Sequence, residues 1–305
     1  MSEVINFNDY VSTNPSVLTF GNFDGIHIGH LNLIDTLTNK ANENNLRSIL
    51  ITFNPHTRSI ISNKRINTLT PYNRKINILK KTNINYIAVI DFDKFFSKIT
   101  KQDYIELLIN KFNPKIIILG YDNKFGYKGI GDYEFLCNFI KDKNIQIIKY
   151  NPYKKFNKVV KSSLVKKFIL NGDIKSANKF LGRSYAIDGI VVEGKKEGEK
   201  IGFPTANIKI SDKQQILPKV GVYSVNFMIN KVKYNGLCNI GYRPTFEENG
   251  KLSIETYIID FDKFDIYGQE VSIEFKYFIR DEKKFSNKKK LIKQIETDLK
   301  FSFIK

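Results

Sequence analysis

The sequence predicts an α/β half built on a parallel sheet, followed by a β half that closes as an antiparallel barrel with a terminal helix. Two observations carry this. In the first half, short β-branched runs alternate with stretches of helical periodicity, the pattern of β–α units that cover a parallel sheet. Past residue 182, closely spaced strands separated by turn signals take over, as in small barrels. No internal repeat or low-complexity tether separates the halves, so the change of class itself predicts domains 1–182 and 183–305.

The elements follow in order. Val17–Phe20 reads as a buried strand, and Leu33, Ile34, Leu37 and Ala41 then recur at helical spacing. Ser48–Phe53 is the next strand. Thr70-Pro71 reads as a helix start, a capping hydroxyl with proline at the first helical position. Asn85–Ile90 and Lys115–Leu119 are further β-branched runs, and Tyr104, Leu107, Leu108 and Phe112 mark a helical face between them. Ser162–Leu170 and Ile174–Leu181 read as helices broken by Gly172-Asp173. In the second half, Val220–Ile229 and Val232–Cys238 flank a tight turn at Asn230-Lys231. Leu252–Ile259 and Glu270–Phe278 are strands, and Asn287–Phe301 is a helix with Leu291, Ile292, Ile295 and Leu299 on one face.

Composition narrows the class. A chain of 305 residues, 42% hydrophobic and 26% charged, can bury two ordinary cores. No run approaches a membrane span, and the first residues lack a basic-then-apolar leader. Cys137 and Cys238 have no metal-ligand spacing around them, so a cytoplasmic enzyme is expected. The net charge of +18 invites a nucleic-acid reading. Arginine occurs at only 7 positions, however, leaving 49 − 7 = 42 lysines spread along the chain. A surface built for bidentate phosphate or base contacts would favour arginine, so no nucleic-acid partner is expected. Basic charge can still gather anionic substrates.

The chemistry gathers at the 3 histidines. His27 and His30 lie in Gly21-Asn22-Phe23-Asp24-Gly25-Ile26-His27-Ile28-Gly29-His30, and His56 in Thr52-Phe53-Asn54-Pro55-His56. Two histidines three apart, where a loop enters a helix, add hydrogen-bond donors beside free helix amides, a site suited to anions. Gly25 and Gly29 let backbone approach a ligand. The arrangement suits attack on the α-phosphate of ATP, where positioning and electrostatic stabilisation dominate. Gly21–His30, Asn54–His56 and Gly120–Asp132, which includes Asp122, each follow a predicted strand. Ligands in parallel sheets bind beyond the carboxyl ends of strands, so the three segments are expected to share one cleft.

Two further strings carry a resemblance: Gly202-Phe203-Pro204-Thr205-Ala206-Asn207, and Asn239-Ile240-Gly241-Tyr242-Arg243-Pro244-Thr245-Phe246. With the histidine motifs and the strand bearing Glu255, they occur in the order found in the prokaryotic bifunctional riboflavin kinase/FAD synthetase family, which the chain resembles over nearly its whole length. The resemblance implies a Rossmann-like nucleotidylyltransferase domain that adenylylates FMN to FAD, and a barrel that phosphorylates riboflavin to FMN. It implies ATP as co-substrate with Mg²⁺, catalytic roles for His27, His30 and Glu255, and contacts to ATP or FMN from residues 21–25, Gly29, Asn54, His56, Asp122, Ser162, Ser163 and Lys166. In the kinase module it implies nucleotide and flavin contacts from Gly202, Phe203, Pro204, Thr205, Asn207 and Arg243. The Thr205 hydroxyl and the Asn207 amide oxygen would be hard donors to the metal. Self-association is left open.

The chain departs from the family at several places. Lys161-Ser162-Ser163-Leu164-Val165-Lys166 stands where Ser-Ser-Thr-x-x-Arg is usual; lysine keeps the charge and loses the bidentate fork. Glu199 reverses the sign of a common arginine, Asn54 replaces an acidic residue, and Asn123 and Lys124 replace an aromatic residue and arginine. Two alternatives stand beside the main reading. His27-Ile28-Gly29-His30 also spells the signature of class I aminoacyl-tRNA synthetases, although no KMSKS-like loop follows and Gly202–Asn207 would have no role. The other is a chain with one active module only.

Overall fold

The computed structural model describes residues 2–62, 66–242, 252–261 and 265–302, which divide into two compact units, Met1–Ser162 and Ser163–Lys305. The division falls before the change from helix to strand at residue 182. Both helices between these points belong to the second unit from Ser163 onward, and the second of them lies against the first and last barrel strands.

The first unit runs β1 (Glu3–Asn6), β2 (Ser16–Phe20), α1 (Ile28–Glu43), β3 (Arg47–Asn54), α2 (Thr57–Ile61), α3 (Tyr72–Leu79), β4 (Tyr86–Asp91), α4 (Lys101–Phe112), β5 (Pro114–Gly120), α5 (Tyr133–Phe139), β6 (Gln146–Tyr150) and the small ribbon β7 (Lys154–Lys155) and β8 (Lys158–Val159). The main sheet has the order β1-β4-β3-β2-β5-β6, and every pairing in it is parallel. Strand residues alternate between two cores because the side-chain period is two. Leu18, Phe20, Ile49, Ile51, Ile117 and Leu119 pack under α4 and α5. Val17, Leu50, Ile87, Val89, Ile116 and Ile118 pack under α1 and α3. The chain leaves β2 toward β3 on one side and reaches β5 on the other, so the switch point lies between β2 and β5.

Two expectations shift. The helix after Thr70 begins at Tyr72, with Pro71 as an N-cap that makes no side-chain bond. The Thr70 amide instead donates to Asp24 Oδ1, which draws this residue out of the helix. On α4 the buried face is Tyr104, Ile105, Leu108 and Phe112, with Ile105 taking the deep place assigned to Leu107.

The second unit holds α6 (Ser162–Leu170), α7 (Ile174–Leu181), β9 (Tyr185–Val192), β10 (Thr205–Ile210), β11 (Gly221–Ile229), β12 (Val232–Tyr242), β13 (Leu252–Ile258), β14 (Glu270–Arg280) and α8 (Lys288–Ser302). The six strands close an antiparallel barrel in the order β10-β13-β12-β11-β14-β9. Val225, Phe227, Ile240, Ile254, Ile273 and Phe275 are buried in it. Asn230 and Lys231 have φ of 50° and 64°, the left-handed pair a two-residue hairpin demands.

On α8 the predicted apolar face is only half-buried. The deepest residue is Asp298, 2% exposed, whose carboxylate receives Arg280 Nε at 2.9 Å and Gln294 Nε2 at 2.8 Å. Arg280 is itself largely covered and its terminal nitrogen lies 2.8 Å from the same carboxylate. Removing one partner of such a pair strands a buried charge. Asp298→Ala is therefore expected to destabilise this unit by about 3–5 kcal/mol, read from the urea unfolding midpoint, whereas exposed Asp281→Ala should cost under about 1 kcal/mol.

Cys238 faces the barrel interior with no exposed surface, and burial pushes its thiol up to about 12. Because the thiolate is the reactive form, a thiol reagent at pH 8 should modify half-buried Cys137 in native protein and reach Cys238 only after denaturation.

Candidate active sites

Three loops leave the carboxyl ends of the adjacent central strands β3, β2 and β5, and side chains tie them together. The Asn123 amide donates to Phe20 O at 2.7 Å, fastening the loop after β5 to the end of β2. The Asn22 side chain holds Thr57 twice: Nδ2 donates to its hydroxyl at 2.9 Å and Oδ1 accepts from its amide at 3.1 Å. Thr57 follows His56, so Asn22 joins the two histidine-bearing loops. The Asn22 amide side chain is thus one of the links by which the first two segments converge.

The loop after β2 is tightly wound. Phe23, Gly25 and Ile26 have φ of 50°, 88° and 36°, so two non-glycine residues hold left-handed backbone. Such residues cost on the order of 1–3 kcal/mol each and persist where packing over-determines them. Phe23 and Ile26 are both buried. A side chain at Gly25 would press into Leu69. Asp24 is buried, and its Oδ1 accepts from the amides of Leu69 at 2.8 Å and Thr70 at 3.3 Å. Its carbonyl accepts from the Ser162 hydroxyl at 2.8 Å.

His27 is the N-cap of α1. Its Nδ1 accepts from the His30 amide at 3.2 Å, which leaves the ring proton on Nε2. The His27 and His30 rings stack face to face, centroids 3.6 Å apart and 13° from parallel. Two imidazolium charges at that separation would repel. Phe23 meets the His30 ring edge-on at 5.2 Å. A Cβ at Gly29 would lie 3.3 Å from His27 Nδ1, so glycine leaves room for the capping ring. The loop therefore delivers two imidazoles to a helix N-terminus, where the helix dipole favours an anion.

The other predicted residues fall as follows. His56 is half-buried and caps the short α2 through Nδ1, which accepts from the Arg58 amide at 3.2 Å. Asn54 ends β3 opposite Asp91, and its carbonyl accepts from Phe92. Asp122 is exposed in the loop after β5. Ser163 and Lys166 stand on α6, in the second compact unit. Arg243 lies outside the described residues.

One residue of this region was invisible in the sequence. Lys75, on α3, is 6% exposed, with Nζ donating to Phe53 O at 2.9 Å and Thr52 Oγ1 at 3.0 Å. Burial lowers its pKa to about 8, against the opposing pull of the Asp24 charge. Among 42 lysines the available signal was its place beside Ile76 and Leu79 on the apolar face of its helix.

In the barrel, alternation turns Ala206, Ile208, Ile254, Thr256 and Ile258 inward and Thr205, Asn207, Glu255 and Tyr257 to the outer face. Asn207 pairs with Glu255, and Glu255 with Asn239, so an amide, a carboxylate and an amide form one row across β10, β13 and β12. Thr205 and Tyr257 form the next row, where Phe203 meets Tyr257 edge-on at 5.4 Å. Directly opposed side chains in such rows lie about 5 Å apart. Asn207 is nevertheless buried, because its carboxamide enters the space over Gly194, where a Cβ would fall 2.0 Å from Nδ2. Gly202, φ 82°, ends the turn before Phe203. Pro204 is exposed beside it.

This donor set suits Mg²⁺. It offers a hydroxyl, an amide oxygen and one carboxylate, all hard ligands, and Mg²⁺ binds through few protein oxygens because it retains water and substrate phosphates. No cluster of three or more His, Cys, Asp or Glu side chains able to enclose a metal occurs among the described residues.

A parallel sheet with a histidine-capped helix at its switch point, joined to a barrel bearing an oxygen-rich outer face, defines a two-unit nucleotide-handling transferase. The FAD synthetase family matches residues 10–164 and the riboflavin kinase family matches residues 181–302. The chain belongs to the bifunctional riboflavin kinase/FMN adenylyltransferase family. It is 33% identical to the bifunctional riboflavin kinase/FMN adenylyltransferase of Listeria monocytogenes over 92% of this chain and 90% of that one. It is 34% identical to the protein of the same name from Bacillus subtilis, over 93% and 90%. A crystal structure from Streptococcus pneumoniae, described as a macrolide-efflux protein, matches with TM-score 0.88 and 29% identity over 98% of both chains. Among the described residues of the present chain, no helix is long and apolar enough to cross a membrane.

Proposed function

We propose that residues 1–182 adenylylate FMN and residues 183–305 phosphorylate riboflavin, each with ATP. The observation that carries the first reading is the stacked His27–His30 pair at the start of α1. An FMN phosphate oxygen attacks the α-phosphorus of ATP, the bond to the β-phosphate oxygen breaks, and pyrophosphate leaves. His27 Nε2–H and His30 stabilise the charge that develops on the α-phosphoryl oxygens, beside the helix amides. Asn22, Asn54, His56 and Asp122 frame the ligand at the strand ends.

The row Asn207–Glu255–Asn239 supports the second reading. Glu255 accepts the proton of the riboflavin 5′-hydroxyl as its oxygen bonds the γ-phosphorus and ADP leaves. Thr205 and Asn207 would hold Mg²⁺, which when bound neutralises phosphate charge. The turn of residues 198–203, whose Gly198 lies against Phe203 O and Thr205, brings backbone toward the nucleotide.

The test is direct. Purified protein with riboflavin, ATP and Mg²⁺ should yield FMN and then FAD on chromatography. FMN alone would sink the adenylyltransferase reading, and FAD only from supplied FMN would sink the kinase reading. Omission of Mg²⁺ should stop both products.

A further inference from the structure

We propose that Lys75 is a positioning residue for adenylyl transfer, holding the loop of His27 and His30 and the loop of His56 at a fixed separation. The inference rests on the assignment of adenylyl transfer to these loops.

An ammonium has three hydrogens to donate, and each finds an acceptor. Phe53 O accepts at 2.9 Å, Thr52 Oγ1 at 3.0 Å and Asn22 O at 3.4 Å. The Thr52 hydroxyl donates in turn to Asn22 O at 3.3 Å. Lys75 thus reaches from α3 to the carboxyl ends of β2 and β3 and clasps backbone at the start of both loops. Phe53 precedes the Asn54–His56 segment, and Asn22 opens the Gly21–His30 segment. Above this clasp the Asn22 side chain bonds Thr57. Two layers of hydrogen bonds therefore set the spacing of the histidine loops, one of them built on a buried cation.

Satisfying carbonyls does not require a charge. A buried ammonium is costly, and neutral donors could serve the same oxygens. Here the cation stands beneath the strand ends where phosphates would bind, so it also adds fixed positive potential below the anionic ligand. Displacement of reacting groups by about 1 Å costs on the order of 100-fold in rate, which makes loop spacing worth such a device.

The experiment uses the full chain and measures kcat and KM for FAD formation from FMN, alongside riboflavin phosphorylation, in Lys75→Met, Lys75→Arg, Thr52→Val and His27→Ala. Lys75→Met should lower kcat about 100-fold with KM for ATP and FMN changed less than about 3-fold. Lys75→Arg should recover at least about 10-fold of that loss, and riboflavin phosphorylation should stay within about 2-fold in both. Thr52→Val, which keeps the cation and removes one acceptor, should lower kcat about 10-fold. A folded Lys75→Met enzyme within about 3-fold of wild type, or an arginine variant no better than methionine, overturns the proposal. Should Lys75→Met not fold, Thr52→Val decides, and a kcat within about 2-fold of wild type overturns it. If His27→Ala also leaves FAD formation intact, the assignment of these loops is at fault; if His27→Ala alone removes it, only the role of Lys75 fails.

Discussion

His27→Ala is expected to lower FAD formation from FMN about 1,000-fold while riboflavin phosphorylation stays near wild type. The size follows from the loss of a preorganised donor at a developing oxyanion, typically 100- to 1,000-fold, compounded by disorder at the helix start. The alanine variant removes two things at once. His27 Nδ1 caps α1 through the His30 amide, and a lost cap costs about 1 kcal/mol. Its ring also supports the stacked His30 ring. His27→Asn separates these effects, because asparagine caps well but offers no imidazole. We expect His27→Asn to unfold within about 1 kcal/mol of wild type and still lose at least about 100-fold in kcat. An asparagine variant with near-normal FAD synthesis would reduce His27 to a capping residue.

Glu255→Gln should do the reverse, lowering FMN formation from riboflavin by about 100- to 10,000-fold, the range for loss of a general base, while FAD formation from supplied FMN persists. Glutamine keeps the shape of the side chain within the row of Asn207 and Asn239 and removes its capacity to take a proton. The expected signature is a fall in kcat with KM for riboflavin little changed. A fall confined to KM would make Glu255 a binding residue. Loss of both products in either single variant, with folding intact, would contradict two separate sites.

Much of the architecture is legible in local sequence. The runs Ser162–Leu170 and Ile174–Leu181 and the hairpin turn Asn230-Lys231 stand where local pattern placed them, because caps, helix breaks and left-handed turn residues act over a few positions. Leu33, Ile34, Leu37 and Ala41 are all buried on α1, as their spacing demanded. Thr70-Pro71 does not open the helix in the way its residue types suggest, because the Thr70 amide answers to Asp24, far away in the chain. Asp298 on α8 defeated an apolar-face reading for the same reason, since only the approach of Arg280 makes a carboxylate tolerable there.

The candidate sites divide along the same line. The histidine motifs and the Gly202–Asn207 string could be recognised because they are contiguous. Lys75, Asn123 and the row formed by Asn207, Glu255 and Asn239 could not, because each takes its meaning from partners that strand order and register bring beside it. Short-range periodicity therefore determined the two fold classes, and contiguous motifs determined the family and the candidate reactive side chains. The tertiary structure decided which lysine is clasped beneath the loops, which carboxylate is buried and which amides flank Glu255. Those outcomes depend on desolvation and on contacts between segments remote in the chain, which local sequence does not encode.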